Sequence, residues 1–243
     1  VYIPLEEVSR LESLPGEGPE WCAVLPRVWR DRDEPALRTL LERARALGFT
    51  GVLIGNLGHL PLVRGLNFHL YGDYGLNVFN SRSLAYLKDK ELESACVSFE
   101  LRFAQIRDLK KVLRAEAIVY GRLPLMITEN CLVQNETGCR LDRQGPCVPE
   151  DGPCRCGQPN VLVDRTGAAF PLLPAYGHRT EIQNSKPLYL ADRPEHRSLG
   201  GAYARLRFTT ETAEECVSVV QNYLDAAPAA GDFTRGLYER GVE

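Results

Sequence analysis

The sequence predicts an α/β chain: a (β/α) barrel or most of one, interrupted between its sixth and seventh strands by a Cys-rich metal-binding hairpin. Three observations point to this class. Short apolar runs alternate with amphipathic helices, eight of these runs read as strands, and the 243-residue length is near the roughly 250 typical of such barrels. A doubly wound open sheet is the alternative reading of the same alternation.

The first six strand candidates are Tyr2–Leu5, Cys22–Val28, Gly51–Gly55, Phe68–Gly72, Ala95–Phe99 and Ala117–Tyr120. Between them, Pro35–Leu47 is a helix with Asp33 or Glu34 near its start, Pro35 in its first turn and Gly48 closing it. Leu37, Leu40, Leu41, Ala44 and Leu47 form its apolar stripe. Ser81–Lys90 and Leu101–Leu113 read as further helices. Strand patterning resumes at Pro187–Ala191 and Ala202–Phe208, and Thr212 with Glu215 forms a capping box opening a last helix through Leu224. Cys22 and Cys96 lie in apolar strands and Cys216 shares a helical face with Val217 and Val220, so all three read as core. The expected organisation is residues 1–122 as the first part of the barrel, 123–186 as the insertion and 187–243 as the final strands and helix.

Polar residues close most of the strands. Arg27, Asn56, Asp73, Asn77, Glu100 and Arg122 stand at strand ends, with His59 just beyond the third strand. In a parallel barrel the carboxyl ends of the strands share one mouth. The set therefore reads as an anionic-ligand pocket, with Arg27 and Arg122 as clamps and Glu100 or Asp73 as acid or base. Capping of strands and helix starts is the bland reading of the same residues. There is no GxGxxG fingerprint, no Walker loop and no HExxH.

Five of the eight cysteines, Cys131, Cys139, Cys147, Cys154 and Cys156, crowd into one Pro/Gly-rich loop. A hairpin with an Asp164–Gly167 turn follows within Val161–Leu172, and then His178. Soft thiolates converging from short loops suit zinc or an iron–sulfur cluster. Cys131, Cys139, Cys156 and His178, with Cys154 or Cys147 as a substitute, make a closed tetrahedral zinc set. This clustering favours a reduced, cytoplasmic metal loop over a disulfide framework.

The net charge of −3 gives no nucleic-acid footprint, and no apolar run is long enough for a membrane span or a secretory signal. The chain opens at Val1 in a strand pattern and holds one methionine, Met126, so the reading takes it as a piece of a longer protein.

The segment Ile118–Cys131, with Gly55–His59, Gly72–Asn80, Leu162–Gly167, Ile182–Leu188 and the closing Phe233–Val242, resembles the collagenase-like peptidase family, often labelled U-32. The likeness is to the C-terminal half of its long members, which implies the upstream part of the same protein as a partner. The family carries a peptidase label. Other branches resemble oxygen-independent hydroxylases of RNA bases or quinone precursors, which hold a 4Fe–4S cluster on four cysteines. Glu116, Gly121 and Cys131 match the family's signature, whereas Pro124 occupies its first cysteine position and His178 stands where a cysteine is expected. Both departures turn the expected cofactor from a 4Fe–4S cluster toward zinc. The resulting expectation is a metal-binding barrel module of a cytoplasmic RNA-modifying enzyme that meets RNA through the full-length protein. The alternatives are a metal-dependent endopeptidase and a non-catalytic structural half.

Overall fold

A computed structural model describes residues 1–15, 18–137, 158–195 and 199–242. Within them the chain forms two compact units. The first holds Val1–Ala117, Ser198–Ala204 and Leu237–Glu243, and the second Ile118–Arg197 and Arg205–Gly236.

A curled half-barrel sheet makes up the first unit, and its last strand runs on past Ala117 into the second. Strands β1 (Tyr2–Pro4), β2 (Cys22–Val24), β3 (Gly51–Ile54), β4 (His69–Gly72), β5 (Leu92–Cys96) and β6 (Arg114–Gly121) pair in sequence order, every pair parallel. Helices α1 (Glu34–Leu47), α2 (His59–Val63), α3 (Ser81–Asp89) and α4 (Phe103–Asp108) stand among these strands in the sequence. One face of the sheet is small and apolar, with Ala23, Val52, Ile54, Ala95 and Ala117 all at 0% exposure. On the other, Cys22, Leu53 and Tyr71 cluster with Tyr2 and Val24.

Local chemistry explains the helix limits. Pro35 sits in the first turn of α1, and Gly48 ends it at φ +100° with its N–H on the Ala44 and Arg45 carbonyls. Leu37 and Leu41 are completely buried on its inner side, each stabilising by roughly 1.5–3 kcal/mol. The helix expected over Leu101–Leu113 stops at Asp108, because the Lys111 ammonium donates to the carbonyls of Ile106, Arg107 and Leu109 and so satisfies its end. β2 ends before Pro26, which has no N–H for a ladder.

The second unit carries a four-stranded antiparallel sheet in the order β7 (Pro124–Thr128), β10 (Arg179–Gln183), β9 (Ala169–Ala175) and β8 (Asn160–Val163). Helix α5 (Leu132–Thr137) follows β7. The expected hairpin is present: β8 and β9 pair around a turn in which Asp164 Oδ1 accepts from the Thr166 and Ala168 backbone N–H groups. The cysteine-rich loop before it, with Cys139, Cys147, Cys154 and Cys156, lies outside the described residues.

The parallel winding does not continue past β6. β11 (Leu188–Tyr189) pairs antiparallel with Gly121 and Tyr120, so the seventh apolar run is not the next strand of a parallel barrel. A parallel return needs a crossover on the sheet face, and the chain builds the antiparallel sheet in that interval instead. β12 (Tyr203–Leu206) also pairs with β6. Tyr120, Tyr189 and Ala191 form a second core with Val219, Tyr223 and Phe233 packed on it.

Helix α6 (Ala213–Asp225) starts at the expected capping box, Thr212 Oγ1 accepting from Glu215 N while Glu215 Oε2 accepts from Thr212 N. It is rotated from the expected face. Val219 and Tyr223 turn inward, whereas Val217 is 71% and Val220 42% exposed and Cys216 is only half-buried. The tyrosine hydroxyl sets this rotation: Tyr223 donates to Val119 O at 2.5 Å and accepts from Leu190 N at 2.8 Å.

Candidate functional site

Because β1–β6 are parallel, their carboxyl ends bring Arg27, Asn56, Asp73, Asn77 and Glu100 to one rim of the first unit. Two of them, Arg27 and Asn56, line a cleft of about 700 Å³ with Gly55, Leu57, Gly75, Leu76, Arg82, Ser83, Tyr86 and Leu87.

Arg27 packs against two glycines, one of them closely. A Cβ on Gly75 would lie 2.6 Å from the Gly55 carbonyl oxygen and 3.0 Å from Arg27 Cδ, and one on Gly55 would lie 3.6 Å from Arg27 Cγ. A side chain in place of Gly75 would therefore crowd the Gly55 backbone and the arginine stem, whereas one in place of Gly55 would make only ordinary contact with that stem. Its guanidinium stands over the Tyr74 ring, 5.6 Å from the centroid, and Tyr74 rests on Phe99. Among the described residues neither Arg27 nor Arg82 pairs with a carboxylate. Arg82 sits in the first turn of α3, where Asn80 Oδ1 caps the N–H groups of Arg82 and Ser83. Cation, amide and hydroxyl donors beside the apolar Leu57, Leu76 and Leu87 suit an anion attached to a less polar body.

The other rim residues take different roles. Asp73 is 7% exposed, and its carboxylate accepts from Tyr74 N at 2.9 Å, opening the turn that carries Gly75. Asn77 ends that turn at φ +52°. Glu100 is half-buried, with its N–H on Ser98 Oγ. His59 is completely buried: Nε2 donates to the Pro26 carbonyl at 3.1 Å, Trp29 stacks on the ring, and Nδ1 has no partner among the described residues. Burial pushes this imidazole down to about 4, against the raising pull of the Pro26 carbonyl and Asp73, so it is neutral at pH 7. It holds the segment leading into Arg27 rather than facing a ligand. Arg122 belongs to the second unit, where its guanidinium donates to the carbonyls of Asn184 and Ser185; it staples backbone and is not free to clamp a ligand.

A buried polar network on the inner face of the half-barrel was not anticipated as a site. Glu116, 8% exposed, accepts at Oε1 from Tyr2 OH at 2.7 Å and Ser94 Oγ at 2.6 Å. Nearby, the Tyr71 hydroxyl donates to Glu20, and His69 bonds Glu93. Cys22 lies beside these carboxylates, and burial, then the Glu20 charge, pushes its thiol up to about 12. The folded state thus favours the neutral thiol, a contribution complete below the ordinary thiol range and lost as pH rises toward 12. Iodoacetamide at pH 8 will leave Cys22 unmodified in folded protein and label it on unfolding in urea. Labelling of Cys22 at the native-state rate of half-buried Cys216 would contradict this.

Of the metal-loop residues, Cys131 and His178 are described, and both stand at one end of the antiparallel sheet. Cys131 follows β7, His178 precedes β10, and Thr128 pairs with Thr180 between them. Leu132 N donates to Thr180 Oγ1 at 3.1 Å, tying the residue after Cys131 to the second residue after His178. A thiol and an imidazole at one sheet end are the donor types of a mixed sulfur–nitrogen site. Pro124 opens β7 opposite Gln183, so no thiolate arises at that position. Among the described residues no three metal-ligating side chains stand together. No helix of the described residues is long and apolar enough to cross a membrane.

The class these features define is an α/β chain of two units, one a half-barrel with a cationic cleft at its strand ends, the other an antiparallel sheet with a thiol and an imidazole at one end. The model of Peptidase family U32 matches residues 15–158, more than half of the chain, and the protein belongs to that family. No curated protein and no solved structure matches it.

Proposed function

We propose that this chain is the ligand-binding half-barrel and metal-holding module of a cytoplasmic enzyme that hydroxylates RNA bases. The observation that carries the reading is Arg27, an arginine without a carboxylate partner among the described residues, packed against Gly75 in the lining of the cleft. Such a group serves an anionic co-substrate or a nucleotide phosphate. The strand order begins at β1, and among the described residues no strand covers its other edge. In this reading an upstream part of the same protein covers that edge, completes the barrel and supplies the RNA grip.

The metal is zinc on Cys131, Cys139, Cys156 and His178, with Cys154 or Cys147 as a substitute ligand and a 4Fe–4S cluster as the alternative. Held by four protein ligands, zinc would brace residues 123–186 rather than act on substrate. Elemental analysis and an absorption spectrum of protein purified without oxygen decide the ion. One zinc and a colourless sample support this assignment; about four irons with a band near ~400 nm replace it with a cluster.

Two experiments test the function. RNA from a deletion strain will lack one hydroxylated base by mass spectrometry, and an unchanged modification profile would remove RNA hydroxylation. Arg27→Ala will weaken binding of the anionic ligand about 10–100-fold, the loss of one charge-assisted hydrogen bond. Gly75→Ala, which displaces the Arg27 stem, will do the same with the charge intact. The family's peptidase label keeps one competing reading, a catalytic zinc with an open water position. Gelatin cleavage by purified protein that disappears in His178→Ala would favour it.

A further inference from the structure

We infer that Arg179 is the positioning residue of the metal site, a buried bracket that holds the Cys131 loop and the His178 turn in one geometry. The inference rests on the metal reading above and concerns a residue outside the ligand set. Arg179 is the first residue of β10, and its side chain is 4% exposed. One prong of the guanidinium, Nη2, donates to Glu129 Oε2 at 3.0 Å, and Glu129 stands two residues before Cys131. The other, Nη1, donates to the Tyr176 carbonyl at 3.0 Å, two residues before His178. One planar group thus grips both segments that carry the described donors.

The turn is shaped around that grip. A Cβ on Gly177 would lie 2.7 Å from Nη1, and Gly177 has a φ of +72°. His178 itself holds φ +59°, a left-handed conformation uncommon for a residue with a side chain. Such strain persists where the surroundings impose it, and here the fork under the turn does so. The Leu132–Thr180 hydrogen bond closes the same end of the sheet from the other side.

The test uses the full chain loaded with zinc, with affinity read by competition against a chromophoric chelator. Arg179→Lys keeps the charge but cannot span both partners, and is expected to weaken zinc binding about 10–100-fold, as loss of an outer-sphere partner does. Cobalt in place of zinc reports ligand geometry, and its visible bands will shift in the variant. Glu129→Gln is the second variant in case the lysine protein fails to fold. Its site is 57% exposed, so the metal-free thermal midpoint should hold while zinc affinity falls several-fold. Wild-type affinity and cobalt bands in both variants would overturn the bracket alone. Wild-type metal content in Cys131→Ser and His178→Ala would overturn the metal reading, and the bracket with it.

Discussion

Between pH 6.5 and about 4 the folded protein will lose on the order of 3 kcal/mol of stability through His59 alone. The ring is completely buried, with Nε2 held by the Pro26 carbonyl and Nδ1 facing no partner among the described residues, so protonation would place a poorly compensated charge in the core. Desolvation outweighs the two influences that favour the cation, the Pro26 carbonyl and the Asp73 charge. The folded value is therefore depressed below the unfolded one. The neutral ring's contribution is complete above about 6.5, shrinks as pH falls and levels off near 4. His69 has the opposite sign: the Glu93 hydrogen bond raises it, so its contribution is present at low pH and fades on the alkaline side. It is exposed, and its effect is small. His59→Gln keeps an N–H for the Pro26 carbonyl and removes the titration. Urea midpoints of wild type and variant should converge as pH falls from 7 to 4; parallel curves would show that His59 is not the acid-sensitive group.

Helix limits and the hairpin turn were legible because their signals are local. Pro35, Gly48, Thr212 and Glu215 act within a turn of where they stand, and the Asp164 turn is made by its own side chain. The clustering of polar strand ends was legible because parallel pairing alone puts them on one rim. What escaped depends on partners distant in sequence. β5 begins at Leu92 rather than Ala95 because Glu93 and Ser94 face hydroxyls, carboxylates and an imidazole, not an apolar core. β10, Arg-Thr-Glu-Ile-Gln, hides as a strand because Arg179 and Gln183 are buried with polar partners. The direction of β11 is a property of its neighbour and leaves no mark in Leu188 or Tyr189. Arg82 had a usable signal: a helix that follows a parallel strand starts at the mouth, so its first turn belongs on any list of ligand contacts. Arg122 gave none, since an arginine that caps carbonyls and one that grips a ligand look alike in sequence.

Gly121→Ala will destabilise the second unit by roughly 2–6 kcal/mol, the sum of backbone strain and overpacking. Gly121 has a φ of +118°, and a Cβ there would lie 2.0 Å from the Arg207 carbonyl oxygen and 3.0 Å from its carbonyl carbon. Backbone cannot rotate away as a side-chain tip can, so one of the two segments must move. That movement would break Arg207 N to Tyr120 O, at 3.0 Å, and Arg207 Nη1 to Arg122 O, at 2.7 Å. It would also disturb the fork of Arg207 on Gln183 and Glu181, which anchors β10. Gly167→Ala separates the two causes. Gly167 has a φ of +86° but nothing within 4 Å of the added methyl, so strain alone applies and the loss should be about 1–2 kcal/mol. Near-ultraviolet dichroism from Tyr120, Tyr189 and Tyr223 reports the affected core, and Trp21 and Trp29 fluorescence reports the first unit. Equal midpoints for the two variants would mean that Arg207 yields freely, and that Gly121 is required for its backbone angle alone. A much lower midpoint for Gly121→Ala would mean that this glycine serves packing: it lets the Arg207 segment cross β6 at contact distance.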